Sequence, residues 1–230
     1  MKIVRITKDK KIYLKVLYWG PAAGGKTTAV DSLFRLCKEQ EKEWIPTGNL
    51  TKIAMASGST LYFDRGIFQS RKQTNIFWHC YTVAGQSRFG PLRKKVFAGT
   101  DGVVFVADSQ RSRMQDNIDS LKELKRVAQG NLIKQIPLLI MLNKRDLDDI
   151  IEVKEWEEIM KDEGLIYEQS NDLSMWNPLI YETVALYEQR KNIYRIFSEV
   201  ARRTVIYQAY GDGNAPEKTK AKLPKDVPDL

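Results

Sequence analysis

An α/β fold is predicted: three layers, with a mostly parallel sheet that has one antiparallel edge strand and carries helices on both faces. Three observations lead there. Strand-like apolar runs alternate with helical ones along the chain. The most distinctive glycine-rich and polar segments sit where a strand ends, which is where open α/β sheets collect ligands. The 230 residues, 43% of them hydrophobic, are enough to bury one good core.

The first strand covers 11–19, KIYLKVLYW, rich in the β-branched and aromatic residues of a buried strand. A helix follows over 26–41, where Ala29, Val30, Leu33, Phe34 and Cys37 recur at helical spacing. The runs TLYFDRGIF and TNIFWHCYTVAG, read as strands over 60–69 and 74–83, are adjacent and form one antiparallel hairpin edge. A strand over 102–107, a helix over 113–128, an apolar strand over 136–142, a helix over 153–163, a strand over 179–184 and a helix over 189–208 complete the alternation. One folded domain is expected over 1–210, with a Gly-, Pro- and Lys-rich disordered basic tail over 211–230.

Composition narrows the class. No apolar run approaches the roughly 18 residues that a membrane span needs, and no charged-then-apolar leader opens the chain. Cys37 and Cys80 fall on apolar faces and read as buried thiols in a reducing compartment, so a cytoplasmic protein is expected. The net charge of +8 is uneven: six Lys or Arg lie in the first 15 residues, Arg93-Lys94-Lys95 form a second cluster, and Asp146 to Glu168 is mainly acidic. A solvated basic surface is the simplest reading, with weak contact to anionic membrane left open. No nucleic-acid module is present, so no nucleic-acid partner is expected. The single histidine, His79, sits in a strand and reads as a packing residue.

The chemistry starts at Gly20. The stretch GPAAGGKT, Gly20 to Thr27, fits the phosphate-binding pattern G-x-x-x-x-G-K-[ST] at every specified position, between a strand and a helix. Gly20 lets the chain leave the strand, and Gly25 lets backbone approach a phosphate. The N–H groups of Ala23, Gly24 and Gly25, and those of Lys26, Thr27 and Thr28 at the helix start, can then converge on a polyphosphate. Lys26 can reach the β- and γ-phosphates, and the Thr27 hydroxyl can ligate Mg²⁺. A second motif selects the base. Asn143-Lys144-Arg145-Asp146 closes an apolar strand, and the Asp146 carboxylate is an acceptor-only fork. It suits guanine, which offers N1–H and an exocyclic amine side by side. Asn143 would brace the phosphate loop, and the Lys144 stem would cover the base.

With these two motifs the chain resembles the Ras-like small GTPases. YTVAGQ (Tyr81 to Gln86), DGVVFVADSQ (Asp101 to Gln110), Arg113-Met114 and NKRDL (Asn143 to Leu147) are similar to the MglA branch, the bacterial polarity GTPases and their archaeal relatives. The resemblance runs from about residue 10 to 205, with an insertion around 165–178. It implies a P-loop small-GTPase fold, GTP or GDP with Mg²⁺ as ligands, slow hydrolysis of GTP, and switch loops that bind a regulatory partner such as a roadblock-fold dimer. A nucleotide-held docking scaffold that hydrolyses almost nothing is the alternative.

Residue by residue, the resemblance implies that Gln86 orients the attacking water, that the Gly85 N–H meets the γ-phosphate, and that Thr60 ligates Mg²⁺. Thr183-Val184-Ala185 resembles the base-backing motif, with Val184 and the Ala185 N–H near the guanine oxygen. Three positions depart from the pattern. Thr82 stands where Ras-like proteins carry a Mg²⁺-supporting Asp, so Asp64 on the neighbouring strand is the candidate replacement. Ser59 stands where MglA-like chains place an arginine. Ala22 stands where many phosphate loops have Gly, near the space for a partner's arginine. Trp176 and Pro178 in the insertion either cap a partner surface or pack as an ordered loop.

Overall fold

The computed structural model describes residues 5–7, 9–40, 42–51, 65–84 and 90–217. Among the described residues there are eight strands: β1 (Arg5–Ile6), β2 (Ile12–Trp19), β3 (Trp44–Pro46), β4 (Arg65–Ser70), β5 (Ile76–Thr82), β6 (Gly102–Asp108), β7 (Leu138–Asn143) and β8 (Ile180–Glu182). The same residues carry five α-helices: α1 (Lys26–Glu39), α2 (Gly90–Phe97), α3 (Met114–Ala128), α4 (Val153–Asp162) and α5 (Ile193–Tyr210). They form one sheet in the order β3-β4-β5-β2-β6-β7-β8, with β1 paired to β2. Strands β5, β2, β6, β7 and β8 run parallel to one another, while β4 is antiparallel to β5, β3 to β4 and β1 to β2.

Successive side chains point to opposite faces of a strand, and here both faces are covered. Val16, Tyr18, Val104, Val106, Leu139 and Met141 pack beneath α1 and α5. Their neighbours Leu17, Trp19, Val103, Phe105, Leu138 and Ile140 pack beneath α3 and α4, together with Val96 and Phe97 of α2. Every residue of β6 and β7 is buried, which is why these strands read as unbroken apolar runs rather than alternating ones. The three-layer α/β expectation therefore holds, hairpin edge included.

Several features differ from the sequence reading. β3 lies outside the hairpin as a further short strand, anchored by Trp44, whose ring meets Trp78 edge-on at 4.7 Å and whose Nε1–H donates to Ser198 Oγ. Three residues ending in proline are too few for a period. Helix α5 starts at Ile193 rather than 189 because Lys191 bonds back to Val184 and Asn192 Nδ2 donates to Glu182 O.

Helix α2 carries the cluster read as solvated charge, yet only Lys94 and Lys95 are exposed. Arg93 is buried, pairs with Glu123 at 2.8 Å and lies 4.1 Å over the Trp19 ring. Burial pulls its pKa down from the ordinary arginine value, and Glu123 opposes that. Lys15 is buried too. Its ammonium takes the Val96 and Ala98 carbonyls at the C-terminal end of α2, where the helix dipole favours a cation.

The insertion packs against its own domain. Trp176 is buried, meets Tyr207 edge-on at 5.1 Å and donates its indole N–H to Pro216 O. Arg203 donates to the carbonyls of Trp176 and Asn177. Beyond α5, Gly213 N–H reaches Tyr207 O and Ala215 N–H reaches Lys134 O, so the chain stays docked through Pro216. Residues 218–230 lie outside the described part.

Candidate functional site

The loop from Gly20 to Gly25 leaves β2 at its carboxyl end and enters α1. Its glycines are required by contact as well as conformation. A Cβ on Gly20 would fall 2.1 Å from the Val106 carbonyl oxygen, and one on Gly25 would fall 2.2 Å from Asn143 Nδ2. Gly25 caps α1 at φ 96°, and Ala23 adopts φ 60°, a left-handed conformation that residues with a Cβ avoid. No side chain caps α1 and no acidic residue occupies its first turn, so the positive dipole end of the helix is suited to an anion. Gly24 precedes the cap, and Lys26 and Thr27 open the helix. The Lys26 side chain is buried and folds back over the loop, its ammonium donating to the Gly20 and Pro21 carbonyls.

The second motif ends β7 beside this loop. Asn143 Nδ2 donates to Gly24 O at 2.9 Å and so ties the end of β7 to the loop. Lys144 sits at φ 68° with its ammonium 2.6 Å from the buried Asp108 carboxylate. That ion pair fixes the Lys144 stem along the pocket wall. Thr183 donates to Leu142 O, Arg145 N–H to Thr183 O, and the Ser32 hydroxyl to Ala185 O. Together these bonds hold the 183–186 loop against α1 and the end of β7.

A pocket of about 240 Å³ opens between the two motifs, lined by Ala23, Gly25, Thr28, Asn143, Lys144, Asp146, Leu147, Ala185 and Leu186. The exposed Asp146 carboxylate is on its rim. Seven of the residues singled out in the sequence thus meet around one cavity. Val184 does not line it, because its N–H and C=O are committed to Lys191. Leu147 and Leu186, 41% and 50% exposed, are additions. They are apolar side chains on the pocket wall; Leu147 closes the NKRDL run, and the only sequence signal for Leu186 is adjacency to Ala185.

Thr82 is fully buried at the end of β5, paired in register with Tyr18. Ser59, Thr60, Asp64, Gly85 and Gln86 lie outside the described residues. Among the described residues no cluster of three His, Cys, Asp or Glu side chains could by itself hold a metal. A Mg²⁺ here would need hydroxyl and phosphate oxygens, and Thr27 at the head of α1 is the hydroxyl in place. His79 pairs in register with Lys15 and Ile67 on the flanking strands and packs edge-on against Tyr13, as a structural histidine would. Burial pushes the Cys37 thiol up to about 12 and raises that of Cys80, so neither is a nucleophile at neutral pH.

A protein-family model described as the ADP-ribosylation factor family matches residues 1–193. The chain belongs to that family, and so to the Ras-like small GTPases. This small GTPase is 36% identical over 158 residues to the mutual gliding-motility protein MglA of Myxococcus xanthus, an alignment covering 64% of this chain and 75% of that protein. It is 28% identical over 148 residues to the human ADP-ribosylation factor-like protein 4A, covering 63% of this chain and 64% of the relative. The fold of a small GTPase and the arrangement just described agree. No helix among the described residues is long and apolar enough to cross a membrane.

Proposed function

We propose that this small GTPase is a GTP-dependent switch that hydrolyses GTP slowly to GDP and phosphate. One observation carries the reading: a base-sized pocket rimmed by Asp146 stands directly beside the uncapped N-terminus of α1. Guanine would lie between Leu147 and Leu186 with its N1–H and exocyclic amine on the Asp146 carboxylate and its carbonyl toward the Ala185 N–H. The polyphosphate would take the N–H groups of Ala23 to Thr28, and Lys26 would exchange the Gly20 and Pro21 carbonyls for phosphate oxygens. Bound Mg²⁺ neutralises charge on the β- and γ-oxygens. Thr27 and Thr60 would supply hydroxyls to it, with Asp64 standing in for the carboxylate that Thr82 lacks. Gln86 would orient the attacking water and Gly85 would sense the third phosphate.

Slow turnover follows from the absence of a supplied arginine at Ser59, since such a group is worth about 10³–10⁵ in rate. The regulatory partner proposed from the family is a roadblock-fold dimer, and the location is the cytoplasm. The competing reading, a docking scaffold that keeps its nucleotide intact, draws on the neutral Thr82 at the end of β5.

Nucleotide competition and single-turnover hydrolysis test both levels. Asp146→Asn should weaken GTP and favour xanthosine triphosphate, because an amide can donate to the xanthine C2 carbonyl. Unchanged GTP affinity in that variant rules out the base assignment. Gln86→Leu should slow hydrolysis while leaving GTP affinity almost unaltered, because the side chain acts in the transition state. Parent and variant hydrolysing at the same rate would favour the scaffold.

A further inference from the structure

Arg113 belongs to the single 3₁₀ turn between β6 and α3, far in sequence from the phosphate loop, and yet it grips that loop. Its Nη2–H donates to the Ala22 carbonyl at 3.1 Å, while Nη1 pairs with Asp116 Oδ2 at 2.7 Å. The next residue, Ala23, is the loop residue held at φ 60° despite its Cβ. A backbone in that region persists only where its surroundings over-determine it. In a planar trans peptide the carbonyl and the following N–H point in opposite directions. Drawing the Ala22 carbonyl outward therefore turns the Ala23 N–H inward, to the concave side of the loop. The Asn143 bond to Gly24 O does the same for the Gly25 N–H two residues on.

We propose that Arg113 is a positioning residue of the phosphate loop. Oriented by Asp116, its guanidinium fixes the Ala22–Ala23 peptide plane so that the Ala23 N–H is preset as a donor to the polyphosphate of the guanine nucleotide. This rests on the nucleotide reading above. A donor already aimed at its acceptor loses little freedom on binding, and affinity rises accordingly. The guanidinium is suited to the task because its fork of donors can hold Ala22 O and Asp116 together, which a single ammonium cannot do in the same geometry.

The test titrates the full chain with GDP and, separately, with guanosine, which shares the base and ribose but has no phosphate. Arg113→Ala should weaken GDP by about tenfold, equivalent to ~1.4 kcal/mol, while guanosine affinity stays at the parent value. The Ala23 amide resonance should shift in the nucleotide-free protein, and Arg113→Lys should recover part of the loss. Asp116→Asn, which leaves the arginine but frees it, should fall between parent and Arg113→Ala. GDP affinity unchanged in Arg113→Ala overturns the proposal. So does an equal loss for GDP and guanosine, because the arginine would then support the domain as a whole. A parent protein that binds neither ligand overturns the nucleotide reading itself and this inference with it.

Discussion

Replacing Gly25 with alanine isolates one methyl group at the junction of the two motifs. The residue sits at φ 96°, and the added Cβ would stand 2.2 Å from Asn143 Nδ2. Two costs follow. A residue with a Cβ forced into left-handed backbone loses roughly 1–2 kcal/mol. Asn143 must also retreat, breaking its 2.9 Å bond to Gly24 O, which is worth about 0.5–1.5 kcal/mol. The sum, about 1.5–3.5 kcal/mol, corresponds to a ~10- to 400-fold loss of GDP affinity if the loop relaxes rather than the domain unfolding.

Fluorescence titration with GDP, paired with urea melts of the nucleotide-free protein, separates those cases. Gly130→Ala is the matched control: its φ is 79°, but nothing lies within 4 Å of the added Cβ. It should lose stability by the backbone cost alone and keep its GDP affinity. Gly24→Ala, with no contact under 3.3 Å and no positive φ, should bind nearly as the parent does. A Gly25→Ala protein that binds GDP as tightly as the parent, or a Gly24→Ala protein that is equally damaged, refutes the role given to this contact.

Two further outcomes follow from packing remote from the pocket. Trp176→Ala should destabilise by about 3–5 kcal/mol, the usual cost of emptying a large aromatic site, and lower Tm by roughly 6 °C or more for a chain of this size. Its GDP affinity should not change, because the indole lies against Tyr207 and Pro216; a calorimetric scan and a titration check both parts. Glu199 accepts from Arg202 and Arg203. Burial pushes its carboxyl up, but those bonds outweigh it and hold the pKa below the ordinary glutamate value. A carboxylate of that kind stabilises the fold above its unfolded-state pKa, and the contribution is lost as pH falls through the folded value. Glu199→Gln should therefore cost about 1–3 kcal/mol at pH 7 and less at pH 3, below the ordinary glutamate value, measured by urea unfolding at both. An equal loss at the two pH values would assign the effect to packing.

Sequence alone placed what depends on local spacing. GPAAGGKT at a strand–helix junction and NKRD at the end of an apolar strand located both halves of the pocket, because a phosphate loop must alternate glycine and donor over a few consecutive residues. The buried strands were legible for a related reason: β6 and β7 are covered on both faces, and that writes an unbroken apolar run. Charge was misread where burial decides it. Arg93 and Lys15 look like surface residues in a list of basic side chains, and only packing shows Arg93 on the buried side of α2, paired with Glu123, and Lys15 against that helix's terminal carbonyls.

Other features were decided by pairs of groups that no local period connects. Arg113 holds Ala22, Asp108 holds Lys144, Trp176 reaches Pro216, and Leu147 and Leu186 line the same pocket. A hydrophobic period reports which face of an element is buried. It carries no information on which distant donor will meet which carbonyl, because that depends on how the elements dock. The tertiary structure therefore set the shape and rigidity of the site, while the sequence had already fixed its location and the chemical types of its residues.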